Sequence, residues 1–339
     1  MKTVHKVEIY DRNFNLKDFS GFNYGEDDVN IDYLTVTKNV LSVGKLINAE
    51  NGDFLYSTSG IQGVIDSVEY SNGQTLISYK PLLSLFDVSV YFRRERLSAS
   101  LIGFFETMIT DTFVTNEDVS QNIPGLTVIS TASVLDIKNA TLNIVDDINN
   151  ILTLLQKALK KYRLCVVMRL LPYEKKLEAE LFINQNTREI IANKPYVIDS
   201  EIYIKPSNGG VNKIIAYWKE HEEDSISPLI VKKDVAQDVS RPITKYYDGE
   251  DAESFAEKVM EDSYDMFSYD ESSNYISVTI DSGSNLYGGY EIGDLSIILF
   301  EKTRYTAVLT QIITGDGVTQ YVFGTIRLNL TDKLLLGGF

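Results

Sequence analysis

Two histidines, one cysteine and a few short spacings are all that this 339-residue sequence offers to acid–base, nucleophilic or metal chemistry. A hydrolytic triad needs an imidazole that takes a proton near neutral pH and returns it. His5 stands beside Lys6 in a strand-like stretch, and His221 stands in Glu220-His221-Glu222-Glu223-Asp224, a charged run that would solvate it or pair it with a carboxylate. Neither adjoins a nucleophile-elbow pattern. Ser42-Val43-Gly44-Lys45 matches the S-x-x-K of penicillin-recognising enzymes, but the S-D-N and K-T-G partners of that chemistry are missing. Cys165 lies in the apolar run Leu164 to Leu170 and reads as a small buried hydrophobe, not a thiolate nucleophile.

Metal and nucleotide chemistry fare no better. Asp28, Asn30 and Asp32 have the first spacings of a calcium loop, yet Tyr33 stands where the sharp-turn glycine belongs and Asn39 where the bidentate glutamate belongs. The stretch reads as a negatively charged turn. There is no G-x-x-x-x-G-K-[ST] and no G-x-G-x-x-G, so no loop turns its amides on a phosphate. The 48 acidic residues present too many carboxylate pairs for spacing to single one out as a glycosidase site. Trp218 with Tyr217 has the chemistry to stack on a sugar, but inside a strand pattern such a pair is core material. The residues therefore assign no catalytic, cofactor-binding or metal-ligating position and no cofactor.

The elements that would position any site are mainly β. Hydrophobic residues make up 44% of the chain, enough for real cores, and 21 Tyr and 15 Phe stand against 7 Pro and 5 Met. Balancing 32 basic against 48 acidic residues leaves −16, which argues against gripping phosphate backbones. A single cysteine and two histidines exclude disulfide scaffolds and zinc frameworks. No apolar run approaches the about 18 residues of a membrane span or forms a leader at the start, so the chain is expected to be made in the cytosol and stay soluble without membrane insertion.

Lys6 to Tyr10 alternates, turns at Asp11-Arg12-Asn13 and resumes at Phe14; Asn51-Gly52 and Asn72-Gly73 are dipeptides that accept type I′ turns between apolar stretches. After Ser98, a candidate N-cap, Leu101, Phe104, Phe105, Met108 and Ile109 recur at helical spacing. The clearest helix is expected from about Ile144 to Tyr162, with Asp146 and Asp147 in its first turn and Lys157, Lys160, Lys161 and Arg163 in its last. Strands Leu164–Leu170 and Leu177–Ile183 follow. Between Tyr246 and Asn274 ten carboxylates face one lysine, nine of the sixteen excess charges, while Phe255, Val259, Met260 and Tyr264 mark a helical stripe. Strands at Tyr275–Ile280, Gly293–Leu299, Ala307–Ile313 and Gln320–Gly324 close the chain. The fold class is α+β, mainly β: two small β-barrel domains with an inserted α/β domain. Residues 1–95 and 200–240 are expected to form the first barrel, 96–199 the insert, and 241–339 the acidic helix with the second barrel.

Val7-Glu8-Ile9-Tyr10-Asp11-Arg12-Asn13, then Gly63-Val64-Ile65-Asp66-Ser67-Val68, then Pro81 to Asp87, then the helix and strand pair, then Asn212 to Trp218, and finally Gly293-Asp294-Leu295-Ser296-Ile297 and Tyr321-Val322-Phe323-Gly324 follow one another. Their order resembles the tail-tip or baseplate hub proteins of tailed phages and prophages, including the N-terminal part of siphophage tail-associated proteins. The resemblance covers nearly the whole chain. It implies a homotrimer whose six tube-like β domains form a pseudo-sixfold ring on the tail tube. It also implies that Asn212–Trp218 returns into the first barrel. Implied partners are distal tail and tail tube proteins, the tape measure protein, and a tail fibre or receptor-binding protein, with location in the virion tail. Relatives that continue into a fibre or a peptidoglycan-cutting domain are longer, so a hub-only chain is expected here. DNA would pass without specific binding, repelled by carboxylates that line the channel. The competing readings are a tail-associated cell-wall hydrolase, which the two-histidine count disfavours, and a carbohydrate-binding receptor module.

Overall fold

Alternating stretches become strands because one face is buried while the other stays wet. The structure, a computed structural model, describes residues 4–23, 29–32, 38–57, 60–91, 100–130, 137, 142, 148–191, 197–203, 213–219, 228–232, 242–248, 251–267, 275–281, 289–300, 302–315 and 317–324. Strands β1 (Val4–Tyr10) and β2 (Leu16–Asn23) form the expected hairpin. Asp11 closes its turn, accepting the Asn13 and Asn15 amides at 2.8 and 2.9 Å. With β4 (Asn39–Val43), β5 (Phe54–Ser57), β6 (Gln62–Ser71) and β7 (Gln74–Lys80) they make a sheet of order β2-β1-β5-β6-β7-β4. Asn72 and Gly73, at φ 50° and 77°, form the type I′ turn between β6 and β7. Asn51-Gly52 joins no such hairpin: Gly52 alone has positive φ, and β4, which precedes it, pairs with β7 and not with β5.

Val7, Ile9, Leu41, Leu55, Ile65 and Ile77 fill the concave side of this sheet. It curls until Asp18 on edge strand β2 accepts the Lys45 ammonium and the Asn48 amide, both at 2.9 Å, just beyond the other edge. No backbone ladder joins β2 to β4, so the expected barrel is an open, curled sheet among the described residues. The strand between them, β3 (Val29–Asp32), leaves the sheet and pairs near the far end of the chain.

The insert contains β8 (Ser89–Tyr91), α1 (Leu101–Phe113), β9 (Leu126–Ser130), β10 (Ile148–Asn150), α2 (Ile151–Tyr162), β11 (Leu164–Leu171) and β12 (Lys176–Ile183). The predicted stripe of α1 is buried, but its cap is Ser100, whose hydroxyl accepts the Gly103 amide at 2.9 Å; Ser98 lies outside the described residues. Helix α2 begins at Ile151, not near Ile144. Asn150 takes the Thr153 amide at 3.0 Å, and Ile148–Asn150 instead pairs with β8 as strand β10. Helical periodicity ran on through Ile148, but a capping side chain and a strand partner ended the helix first. Asp146 and Asp147 lie outside the described residues. The two helices pack on the sheet β11-β12-β9 in the largest core.

The remaining strands build two further sheets. One has order β13-β19-β20-β21-β18-β14, from β13 (Thr187–Ile191), β14 (Val197–Tyr203), β18 (Tyr275–Asp281), β19 (Leu295–Phe300), β20 (Thr303–Gly315) and β21 (Val318–Gly324), with β3 added beside β20. The other is β16-β15-β17, from β15 (Lys213–Trp218), β16 (Leu229–Lys232) and β17 (Pro242–Tyr247), with α3 (Ala252–Phe267) on one face. Two placements are thereby corrected. The stretch Lys213–Trp218 does not return into the first sheet but pairs with β16 and β17, and β14, with residues beyond 200, pairs with β18. Alternation marks a strand without naming its partner.

Phe255 and Val259 form the buried stripe of α3, while Met260, expected within it, is 55% exposed, and the Tyr264 side chain lies outside the described residues. No helix among the described residues is long and apolar enough to cross a membrane.

The seam of the first sheet carries a pH signature. The Lys45 side chain, then the Asn48 amide, hold the Asp18 carboxyl down at about 2. Because the folded pKa is depressed, this stabilisation is present above the ordinary value of 3.8 and lost as pH falls through about 2. Urea melts of the wild type and Asp18→Asn are expected to differ at pH 6 and converge toward pH 2; curves that stay parallel would count against the seam.

Candidate functional site

The residues that invited a chemical reading are mostly employed in structure. His5 has its backbone in β1 opposite Phe22, and His221 lies outside the described residues. Asp28 also lies outside them. Asn30 and Asp32 stand in strand β3, opposite Ile313 and Gln311, an extended backbone that does not wrap an ion as a calcium loop does, so the negatively charged turn is corrected. Ser42 belongs to β4, and Lys45 pairs with Asp18, not with Ser42. Cys165 is 1% exposed, and burial pushes its thiol up to about 12, which leaves no thiolate to attack or ligate. Trp218 stacks one face on Phe255 at 5.5 Å and 9° between planes, a contact at the edge of the α3 core. Among the described residues no group of three or more His, Cys, Asp or Glu is placed to hold a metal.

Polar groups gather instead at two joints between the layers. At the first, the Gly293-Asp294 turn before β19 meets the insert. Asp294 is fully buried and accepts from Asn184 Nδ2 at 3.0 Å, Arg188 Nε at 2.7 Å and the Glu291 amide at 3.1 Å. A carboxylate taken out of water is tolerable only with donors of this number and quality. Gly293 sits at φ 88°, and a Cβ there would stand 2.2 Å from Cys165 Sγ. The thiol itself bonds the Ile292 carbonyl at 3.4 Å. Arg163, just past α2 in the left-handed conformation, points its guanidinium at the Gly293 and Asn186 carbonyls. Glycine is the usual residue at such a cap, and the Arg163 side chain offsets the backbone cost by gripping the neighbouring layer.

At the second joint, Glu8 in β1 is 4% exposed and accepts from Lys6 Nζ at 2.6 Å, Tyr10 OH at 2.7 Å and Tyr173 OH at 2.9 Å. Tyr173 comes from the turn between β11 and β12, so the carboxylate ties the first sheet to the insert. Burial works to raise the Glu8 carboxyl, but the three hydrogen bonds prevail and hold it below the usual range. Gln62 adds a bond to the Leu170 amide at 2.8 Å, and Phe14 and Phe54 stack at 5.6 Å inside the core shared with the insert.

No family model matches the chain, and no curated protein matches it in sequence. Solved structures do share its fold almost end to end. The tail protein from Neisseria meningitidis MC58 is 11% identical with a TM-score of 0.53, covering 95% of this chain and 97% of that one. The 43 kDa tail protein of prophage MuSo2 from Shewanella oneidensis is 12% identical with a TM-score of 0.53, covering 95% and 98%. A chain of the phage P2 baseplate in its activated conformation is 14% identical with a TM-score of 0.53, covering 94% and 98%. The chain has the fold of phage tail and baseplate proteins, as the order of its motifs indicated.

The first joint yields a coupling test. Gly293→Ala is expected to cost about 2–4 kcal/mol from the positive φ and the overpacked sulfur. In the double variant with Cys165→Ala the total cost should fall short of the sum of the single costs by about 1 kcal/mol or more, read from urea melts. Strict additivity would mean that the turn does not press on Cys165.

Proposed function

We propose that this chain is the structural hub of a phage or prophage tail tip or baseplate, a non-enzymatic part in which three copies form a pseudo-sixfold ring. The ring caps or extends the tail tube and anchors the distal host-recognition apparatus. The observation that carries this reading is the fold likeness to phage tail and baseplate proteins over 94–95% of the chain and 97–98% of theirs. Two large sheets separated by an α/β layer support it further, since a threefold assembly needs two tube-like units per copy to meet a sixfold tube. In this reading the curled sheet β2-β1-β5-β6-β7-β4 and the sheet β13-β19-β20-β21-β18-β14 are those units.

The rigid joints suit such a part. Each buried carboxylate takes one donor from the insert, Tyr173 at Glu8 and Asn184 at Asp294, which fixes the insert against both sheets. The partners in this reading are tail tube and distal tail proteins, the tape measure protein and a fibre or receptor-binding protein, and the location is the virion tail after synthesis in the bacterial cytoplasm. A net charge of −16 disfavours phosphate, so DNA passes without specific binding.

Two measurements test the proposal. Light scattering of the purified chain at several concentrations is expected to give a trimer, or a monomer that reaches trimers as concentration rises; a stable dimer would contradict it. Zymography on peptidoglycan is expected to show no clearing, and clearing that survives purification would favour a wall hydrolase.

A further inference from the structure

Among the described residues the sheet β16-β15-β17 is covered on one face only. Helix α3 seals the face of Ile214, Ala216, Val231 and Ile243. The other face presents Ile215 beside Ile230 and Tyr217 beside Tyr246 in direct register, with Ile230 48% and Tyr246 72% exposed. On that same face Lys213 and Lys232 stand directly opposite each other. Like charges in register are destabilising, and no ion pair holds either lysine among the described residues.

The complement lies on the outer side of α3. Glu253, Glu257 and Met260 are exposed at i, i+4 and i+7, one helical face turned away from Phe255 and Val259. Two carboxylates followed by a thioether on the helix match two ammonium groups followed by aromatic rings on the sheet. The lengths agree: residues 253 to 260 rise about 10 Å along a helix, and residues 213 to 217 about 13 Å along a strand. One copy does not satisfy both faces, because they lie on opposite sides of the same two-layer unit.

We propose that the outer face of α3 in one copy packs on the open face of β16-β15-β17 in the next. Glu253 and Glu257 answer Lys213 and Lys232, and Met260 seats against Tyr217 and Tyr246. The contact is head-to-tail, each copy using two different faces, the kind that closes into a ring when its rotation allows. It rests on the assembly reading above and names the surfaces that reading leaves open. It also gives these acids a place between copies and not on a channel wall.

The test is a charge swap in the full chain, read by light scattering against concentration, with circular dichroism melts to confirm folding. Lys213→Glu with Lys232→Glu is expected to weaken self-association at least tenfold, and so is Glu253→Lys with Glu257→Lys. The fourfold swap is expected to restore association to within about threefold of the wild type. If a reversed chain melts early, Tyr246→Ala, an exposed truncation, takes its place and should weaken association at least fivefold. A wild type that associates while the reversals change nothing overturns these surfaces and leaves the assembly reading standing. A wild type that stays monomeric at every concentration overturns the proposal and counts against the assembly reading with it.

Discussion

A carboxylate removed entirely from water sets the terms for the rest of this molecule. Asp294 has no exposed surface, and its three donors are the Asn184 and Arg188 side chains, four residues apart, and the Glu291 amide of its own turn. Arg188 and Glu291 belong to the last sheet and its leading turn, so moving the insert away would take the Asn184 amide from a fully buried carboxylate, at a cost of about 1–3 kcal/mol. Gly293 allows the approach, Cys165 fills the space a side chain would occupy, and Arg163 adopts a left-handed conformation to reach across. Glu8 repeats the arrangement on the other side of the insert with Lys6, Tyr10 and Tyr173. The insert is thus tied at both ends of its β11–β12 hairpin, and β3 adds a strand from the N-terminal region to the last sheet.

In this arrangement two groups of a kind that can signal catalysis serve the packing. Perturbed carboxyls and a buried thiol are a frequent mark of active sites. In this chain Glu8 is held below the usual range by two phenols and an ammonium, and Cys165 is raised to about 12 by burial beside a turn. Both are shifted by their work in packing.

Much of the fold was legible in the sequence, and what escaped did so for identifiable reasons. The hairpin at Asp11, the turn at Asn72-Gly73, the body of α1 and α2 and all four closing strands follow from local alternation, periodicity and turn chemistry. Strand partners do not follow from such patterns. Nothing in Asn30-Ile31-Asp32 announces that it crosses to β20, and Ile214 and Ala216 look alike whether they meet the first sheet or α3. The start of α2 was misplaced because Ile148 fits the helical stripe equally well as a strand residue. At the joints, Gly293-Asp294 stood out by its place before an apolar run, but Asn184, Arg188, Glu8 and Tyr173 carry no spacing that links them. Asn184 and Arg188 stand 110 and 106 residues from Asp294, and Tyr173 stands 165 residues from Glu8, so only the folded chain brings them together.

The proposed assembly is a ring of copies of this chain at the end of a phage tail. Electron microscopy of the purified chain at concentrations where it assembles tests that assembly directly. The account predicts particles with three copies around an axis, an open channel and near-sixfold symmetry in the β layer. Particles with twofold symmetry, or compact particles with no channel, would contradict it.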